Sequence, residues 1–171
     1  PVFHVPEDRC HVASYYRNSV LHCFLGRAIA QLARAAAGSA PEHESQHAVR
    51  LRELLKFEFF FSERNAFLVE LERERAILAQ ERERGAAPFA AGAPQILGDL
   101  LESYWVVTEA LASAGACTPE PDLLERCHGL GRQLLLQQRI GRPGGLSSVS
   151  FTNALQLIEN LGAGERTPEG I

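Results

Sequence analysis

The sequence contains no methionine, and Lys56 is the only lysine among its 17 basic residues. A chain of 171 residues that starts at Pro1 and has no methionine anywhere lacks a natural start. We therefore expect an excised part of a longer polypeptide. The preference for arginine over lysine reflects the source genome more than a mechanism.

Long apolar runs are also missing. Charged residues such as Arg27 and Arg34 interrupt every candidate stretch, so no transmembrane helix is predicted, and no signal peptide is visible. A net charge of −4 provides no basic excess for phosphate groups, which argues against a nucleic-acid partner. The cysteines lack metal or redox spacing, and reduced intracellular thiols are expected at Cys10, Cys23, Cys117 and Cys127.

The pattern that is present is helical. Apolar residues recur at three- and four-residue steps between breaks rich in proline and glycine, and no stretch alternates as a strand should. We predict an all-α fold, a bundle of about six helices forming one domain over residues 1–171. The first helix is predicted from about Arg9 to Ala37, and the second is expected to end in the phenylalanines from Phe57 to Phe61.

The three later helices have predicted inner faces. The fourth helix is expected to bury Leu97, Leu100, Leu101, Tyr104, Thr108 and Leu111. The fifth is expected to bury Leu123, Cys127, Leu130 and Leu134. The last is expected to bury Phe151, Ala154, Leu155, Ile158 and Leu161.

The first half of the first helix, from Tyr15 to Phe24, carries apolar or hydrogen-bonding side chains on every side. At about 100° per residue, polar groups share one stripe, an apolar arc adjoins it, and a third side carries Tyr16, Val20 and Cys23. A surface helix of a small domain seldom needs such residues on every side. We therefore expect another part of a larger protein to cover this half, whereas the side that carries Arg27 is expected to face solvent.

Charges of alternating sign occupy much of the third predicted helix, at residues 72–75 and 81–84. Because these charges nearly cancel, they are typical of a solvated helix with ion pairs inside it. A binding face is not predicted there.

Three stretches resemble one known family. They are Tyr15 to Phe24, where a Tyr-Tyr-Arg-Asn segment precedes a histidine four residues after the asparagine, Leu51 to Phe60, and Ser150 to Leu155. Their order and separation are similar to those in the C-terminal part of bacterial glycerol-3-phosphate 1-O-acyltransferases, over most of the chain. The resemblance implies a whole enzyme that moves an acyl group from acyl-CoA or acyl carrier protein to the 1-hydroxyl of glycerol 3-phosphate, in phospholipid synthesis.

The same resemblance implies partners and a location. The chain would be the helical C-terminal domain of a larger enzyme, packed on an upstream catalytic domain that it supports. The resemblance also implies attachment to the cytoplasmic face of a membrane, and it implies no cofactor. The alternative is a freestanding helical module whose exposed apolar stripe binds a partner protein.

The family's catalytic signature is absent from the sequence. It is a histidine with an aspartate five positions on, whose carboxylate orients the imidazole that takes the proton from the attacking hydroxyl. None of the six histidines meets this spacing, and the nearest, His4 with Asp8, is one residue short. The family's Glu-Gly-Thr-Arg motif for glycerol phosphate is also missing. The resemblance therefore places catalysis upstream, and no catalytic residue is assigned in this chain.

One motif points to a different chemistry. His43-Glu44-Ser45-Gln46-His47 fits the His-Glu-x-x-His pattern, in which two histidines bind zinc and the glutamate is a general base. It lies at a polar helix start without an obvious third ligand, so no metal is predicted and a zinc peptidase is only a third hypothesis. Glu42 and Glu44 are expected to be first-turn carboxylates that the helix dipole favours.

The residues assigned to a site are Tyr15, Tyr16, Arg17, Asn18 and His22. One hypothesis is a buried hydrogen-bond network that fixes the first helix. A second places this network at the junction with the catalytic domain. A third has Arg17 contact a substrate phosphate or CoA, because a buried arginine needs an anionic partner.

Overall fold

The computed structural model describes residues 6, 9, 20–85, 93–114, 118–141 and 143–164. Over these residues the chain is all-α, without a strand, which confirms the predicted fold class. The chain divides into two compact units, Pro1–Leu97 and Gly98–Ile171, here called unit 1 and unit 2. A single domain over the whole chain stays a prediction. Among the described helices, none combines the length and the apolar character that crossing a bilayer requires.

Unit 1 is built around one central helix. Its described elements are a 3-10 turn at Leu21–Phe24, α1 at Leu25–Ala37, a 3-10 turn at Pro41–His43, α2 at Glu44–Leu54, α3 at Arg64–Glu83 and the short α4 at Ala93–Ile96. Helix α1 packs against α2, α3 and α4. Most of its buried residues are alanines, which let neighbouring helices approach closely. It ends at Gly38, whose φ of 55° suits glycine best.

The first predicted helix is not continuous in the described residues. Leu21–Phe24 forms a tighter 3-10 turn before α1, and residues 10–19 lie outside the described part of the chain. Such turns are common at helix starts. Hydrophobic spacing does not reveal them, because the apolar arc stays on one side through the turn: Leu21, Leu25, Ala28 and Ile29 are all buried.

The prediction that the second helix ends in phenylalanines is wrong. Helix α2 stops at Leu54, and Phe57–Phe61 lie in a turn and in the loop that leads into α3. The turn closes through the N–H of Phe59, which donates to the carbonyl oxygen of Leu55 at 3.1 Å. Aromatic residues are weak helix formers, so local turn bonds and ring packing prevail here over helix propagation.

The charged stretch of α3 is only partly what its pattern predicts. Arg75 pairs with Glu72 inside the helix at 2.6 Å. Glu74 and Glu81, however, reach across to Arg27 of α1, at 3.5 and 3.2 Å. The side of α1 that was expected to face solvent at Arg27 is therefore covered by α3.

Unit 2 is a three-helix packing. It contains α5 at Gly98–Ser113, α6 at Glu120–Leu136, a 3-10 turn at Pro143–Gly145 and α7 at Ser148–Asn160. Helix α5 packs on both α6 and α7. The helix-start bond of α7 comes from Ser147, whose hydroxyl oxygen accepts from the N–H of Ser150 at 3.1 Å. The largest fully buried side chains of this unit include Leu123, Phe151 and Leu155.

The inner face of α5 differs from its prediction. Tyr104 is buried as expected, but Thr108 is exposed and its hydroxyl donates to the carbonyl oxygen of Trp105 at 2.8 Å. The buried stripe is Asp99, Ser103, Tyr104, Val106, Val107 and Ala110. Because α5 carries apolar side chains on more than one side, spacing alone does not show which side is buried. The smaller residues point inward and let α6 and α7 approach.

The two helices that follow largely match their predictions. In α6, Leu123, Cys127 and Leu134 are buried, and Leu130 is half-buried. In α7, Phe151, Ala154 and Leu155 are buried and Ile158 is half-buried. Leu161 was expected inside but is 64% exposed, because the helix ends at Asn160 and the chain turns away.

Candidate docking surface

The structure describes one of the five residues assigned to a site. His22 lies in the 3-10 turn before α1, and its ring is exposed. Its Nε2 atom is 3.4 Å from the Sγ atom of Cys23. Tyr15, Tyr16, Arg17 and Asn18 lie outside the described residues, so their network stays a prediction.

The start of α1 is covered on one side and open on the other. Leu21 and Leu25 are 6% and 7% exposed, and α4 packs on the turn that contains Leu21. Val20 is 48% exposed, and Cys23 is exposed as well. Val20, His22 and Cys23 together are called the start patch below. The described residues of this chain do not cover the start patch, as the sequence pattern led us to expect.

The start patch is suited to contact more than to catalysis. It presents an aliphatic group, a thiol and an imidazole, and none of its three residues carries a fixed charge. A general base of the family's type needs a carboxylate five residues after a histidine, but Arg27 stands five residues after His22. The patch therefore fits a protein or lipid surface that buries apolar groups.

Glu44, the glutamate of the His-Glu-x-x-His motif, is a buried ion-pair partner. It begins α2 and is 3% exposed. One carboxylate oxygen lies 2.9 Å from Nη2 of Arg75 on α3, and the other lies 3.7 Å from Nη1 of Arg34 on α1. This carboxylate therefore links α1, α2 and α3. It also lies in the first turn of α2, where the helix dipole favours a negative charge. The described ranges contain no group of three or more His, Cys, Asp or Glu residues arranged to hold a metal ion.

The structure brings together a histidine and a serine that sequence reasoning missed. Nε2 of His128 on α6 lies 3.0 Å from the hydroxyl of Ser148, the first residue of α7, and the His128 ring packs edge-on against Phe151 at 5.0 Å. A nucleophile and base pair would also need a third group that orients the imidazole. Within the described residues no carboxylate bonds to His128, so this contact joins α7 to α6. Residues 20 apart in sequence gave no signal for it.

Two described cysteines have opposite environments. Cys127 on α6 is fully buried, and desolvation raises the pKa of its thiol to about 11, although nearby Arg126 and a backbone hydrogen bond oppose the shift. Cys23 in the start patch is exposed. Because the thiolate is the reactive form, Cys127 is expected to be inert and Cys23 to report on whatever covers the start patch.

Comparisons with known proteins identify the family of the chain. The family model described as the glycerol-3-phosphate acyltransferase C-terminal region matches residues 1–167. The chain belongs to this family. It is 31% identical over 179 residues to proteins named "Putative acyltransferase plsB1" from Mycobacterium bovis and from two strains of Mycobacterium tuberculosis. The alignment covers 93% of this chain but 29% of each relative. No solved structure matches the chain significantly.

The family match concerns only the C-terminal region of longer acyltransferases. The chain is a glycerol-3-phosphate acyltransferase C-terminal region, and it spans less than a third of the length of the acyltransferases that it matches. The catalytic signature that is absent from the sequence is therefore not required of this region. The start patch is an exposed surface of this region.

Proposed function

We propose that this chain is the helical C-terminal part of an enzyme that transfers an acyl group to the sn-1 hydroxyl of glycerol 3-phosphate. The acyl donor is acyl-CoA or acyl carrier protein, and the enzyme acts at the cytoplasmic face of a membrane in phospholipid synthesis. The chain itself supplies no catalytic residue. It packs on the upstream catalytic domain and supports it.

The single observation that carries the supporting role is the exposed start patch. Val20 is nearly half exposed on a turn whose other side, at Leu21, is buried in unit 1. Burying apolar side chains is worth about 25 cal/mol per Å² of area removed from water. Covering Val20 and Cys23 with the catalytic domain would therefore stabilise the junction between the two parts.

The reaction itself is tested on the longer polypeptide. Incubation with glycerol 3-phosphate and an acyl-CoA is expected to yield 1-acyl-glycerol 3-phosphate and free CoA, and acyl carrier protein is compared as donor. Absence of acyl transfer with both donors would contradict the proposed activity.

The docking role is tested separately, by alkylation of native Cys23. In the folded longer polypeptide, Cys23 is expected to react slowly, and peptide mapping by mass spectrometry resolves it from the other cysteines. Denaturation is expected to restore the full rate. A Cys23 that reacts equally fast in both states would contradict docking through the start patch, whatever the activity.

A further inference from the structure

The segment between α2 and α3 is held at its base by Arg52. The Nη2 atom of Arg52 donates to the carbonyl oxygen of Ser62 at 2.9 Å. The guanidinium carbon lies 5.7 Å from the centre of the Phe61 ring and 5.8 Å from that of Phe67. Phe61 also packs edge-on against Phe59, at 6.5 Å between ring centres, and against Phe67, at 5.9 Å. These contacts fix Phe59 and Phe61 in place.

The ring between these two in the sequence is exposed. Phe60, which lies between Phe59 and Phe61 in the sequence, points away from this cluster. Phe60 is fully exposed, at 107%. Phe57 is 37% exposed, and the Lys56 ammonium lies 5.5 Å from the centre of its ring. A large apolar side chain that is fully exposed to water on a fixed segment is typical of an interaction site.

The connection between α1 and α2 implies that the exposed rings lie at the same end of unit 1 as the start patch. Glu44, the first residue of α2, contacts Arg34 in the last turn of α1. A short connection joins the two helices, and they pack along each other more extensively than any other pair of described elements. Neighbouring helices joined in this way run antiparallel. The end of α2, with the phenylalanines that follow it, therefore returns to the end where α1 starts.

We infer that Phe57 and Phe60 are a second anchor, which inserts into an apolar pocket of the catalytic domain that covers the start patch. This inference rests on the proposed function and extends its junction to the α2–α3 segment. Exposed aromatic rings on a rigid support are the usual anchors of protein interfaces. The two surfaces at one end of the α1–α2 pair would then form one continuous junction.

The charges around the rings favour a protein pocket over a lipid surface. A membrane-binding segment gains from unpaired basic residues beside its apolar groups. Here Lys56, the only lysine, is 3.6 Å from the carboxylate of Glu53. Glu58 and Glu63 also flank the rings. Anionic lipid headgroups would not be attracted to a surface where glutamates outnumber the single lysine. A protein pocket can place a charge of opposite sign beside each of these residues.

Thiol protection in the longer enzyme tests the anchor. A Phe60→Cys variant is alkylated in the native and the denatured state, and native Cys23 serves as the internal reference. We expect the Phe60→Cys thiol to react about tenfold or more slowly in the native state, as buried groups do. Thermal unfolding gives a second readout: Phe60→Ser is expected to lower the melting temperature of the longer enzyme, and the matched Phe60→Leu to leave it nearly unchanged.

The outcomes separate the second anchor from the proposed docking of the start patch. A freely reactive Phe60→Cys beside a protected Cys23 would overturn the second anchor and leave the proposed docking in place. Free reaction of both thiols would overturn both. Protection of Phe60→Cys only after vesicles of phosphatidylglycerol are added would overturn the inference in favour of a lipid surface, as would a Phe60→Ser variant that melts like the parent.

Discussion

The two units of this chain hold their helices together in different ways. In unit 1, Arg27 pairs with two glutamates of α3, and Glu44 pairs with one arginine of α1 and one of α3. Helix α3 itself buries only Phe67 and Leu71. In unit 2, the helices meet through apolar side chains such as Phe151 and through a close backbone contact at Gly145. Both units bury apolar side chains, and unit 1 adds ion pairs between its helices.

This difference has a consequence for function. Ion pairs at a helix surface specify which helices meet without burying much apolar area. Unit 1 leaves Val20, Phe57 and Phe60 exposed. Unit 2 also exposes apolar residues, but Leu136 and Leu161 lie at helix ends, where single exposed residues are ordinary. We therefore propose unit 1, and not unit 2, as the unit that docks on the catalytic domain.

The largest expected effect is on the backbone contact in unit 2. A Cβ atom added at Gly145 would lie 2.0 Å from the carbonyl oxygen of Asp99, so the backbone must move. We expect Gly145→Ala to destabilise the chain by about 3 kcal/mol, measured by urea unfolding. Gly129→Ala is the matched control, because nothing lies within 4 Å of its Cβ and a helical alanine should stabilise by about 0.5–1 kcal/mol. Equal unfolding midpoints would refute the close contact.

The next effect concerns the buried carboxylate of unit 1. Glu44→Gln removes the charge that Arg34 and Arg75 share, and the expected loss is about 1–2 kcal/mol, because both arginines still reach solvent. Glu42→Gln on the exposed preceding turn is the control, with an expected change within about 0.5 kcal/mol. Thermal unfolding of both variants measures the difference. A harmless Glu44→Gln would show that ion pairs do not join unit 1.

A smaller effect depends on pH and belongs to unit 2. Folding raises the pKa of Cys127 from 9.0 to about 11, so its contribution to stability is complete below pH 9 and is lost as the pH rises through about 11. We expect the stability gap between the parent chain and Cys127→Ala to narrow by about 1 kcal/mol between pH 8 and pH 10. Urea unfolding at both values measures the gap. An unchanged gap would indicate a thiol that titrates normally.

The sequence allowed the helices to be predicted far better than their contacts. The buried positions of α6 and α7, such as Cys127 and Phe151, follow from spacing, because each helix has one apolar side. Helix α5 carries apolar residues on more than one side, so spacing could not show that Ser103 and Val107 face inward. Pairing of Arg27 with Glu74 was beyond prediction, since residues of alternating charge offer many partners and tertiary packing selects among them.

The candidate site was predicted in part. Patterning around the axis indicated that Val20 and Cys23 need a partner, and both are exposed. The same reasoning placed Phe60 in a helix, where its direction could not be foreseen. Its outward position depends on the clamp by Arg52 on a carbonyl ten residues away, which no local pattern encodes. Tyr15 and the residues predicted to join its network stay a prediction.

The central claim is that the catalytic domain covers the start patch, and a pair of matched valine substitutions in the longer enzyme tests it most directly. Val20 and Val149 are both exposed, in unit 1 and unit 2 respectively, at 48% and 70%. Burying an unpaired carboxylate in an interface is costly, so we expect Val20→Asp to lower the acyl-transfer rate about tenfold or more and Val149→Asp to leave it within about twofold. Equal rates for the two variants would contradict the claim.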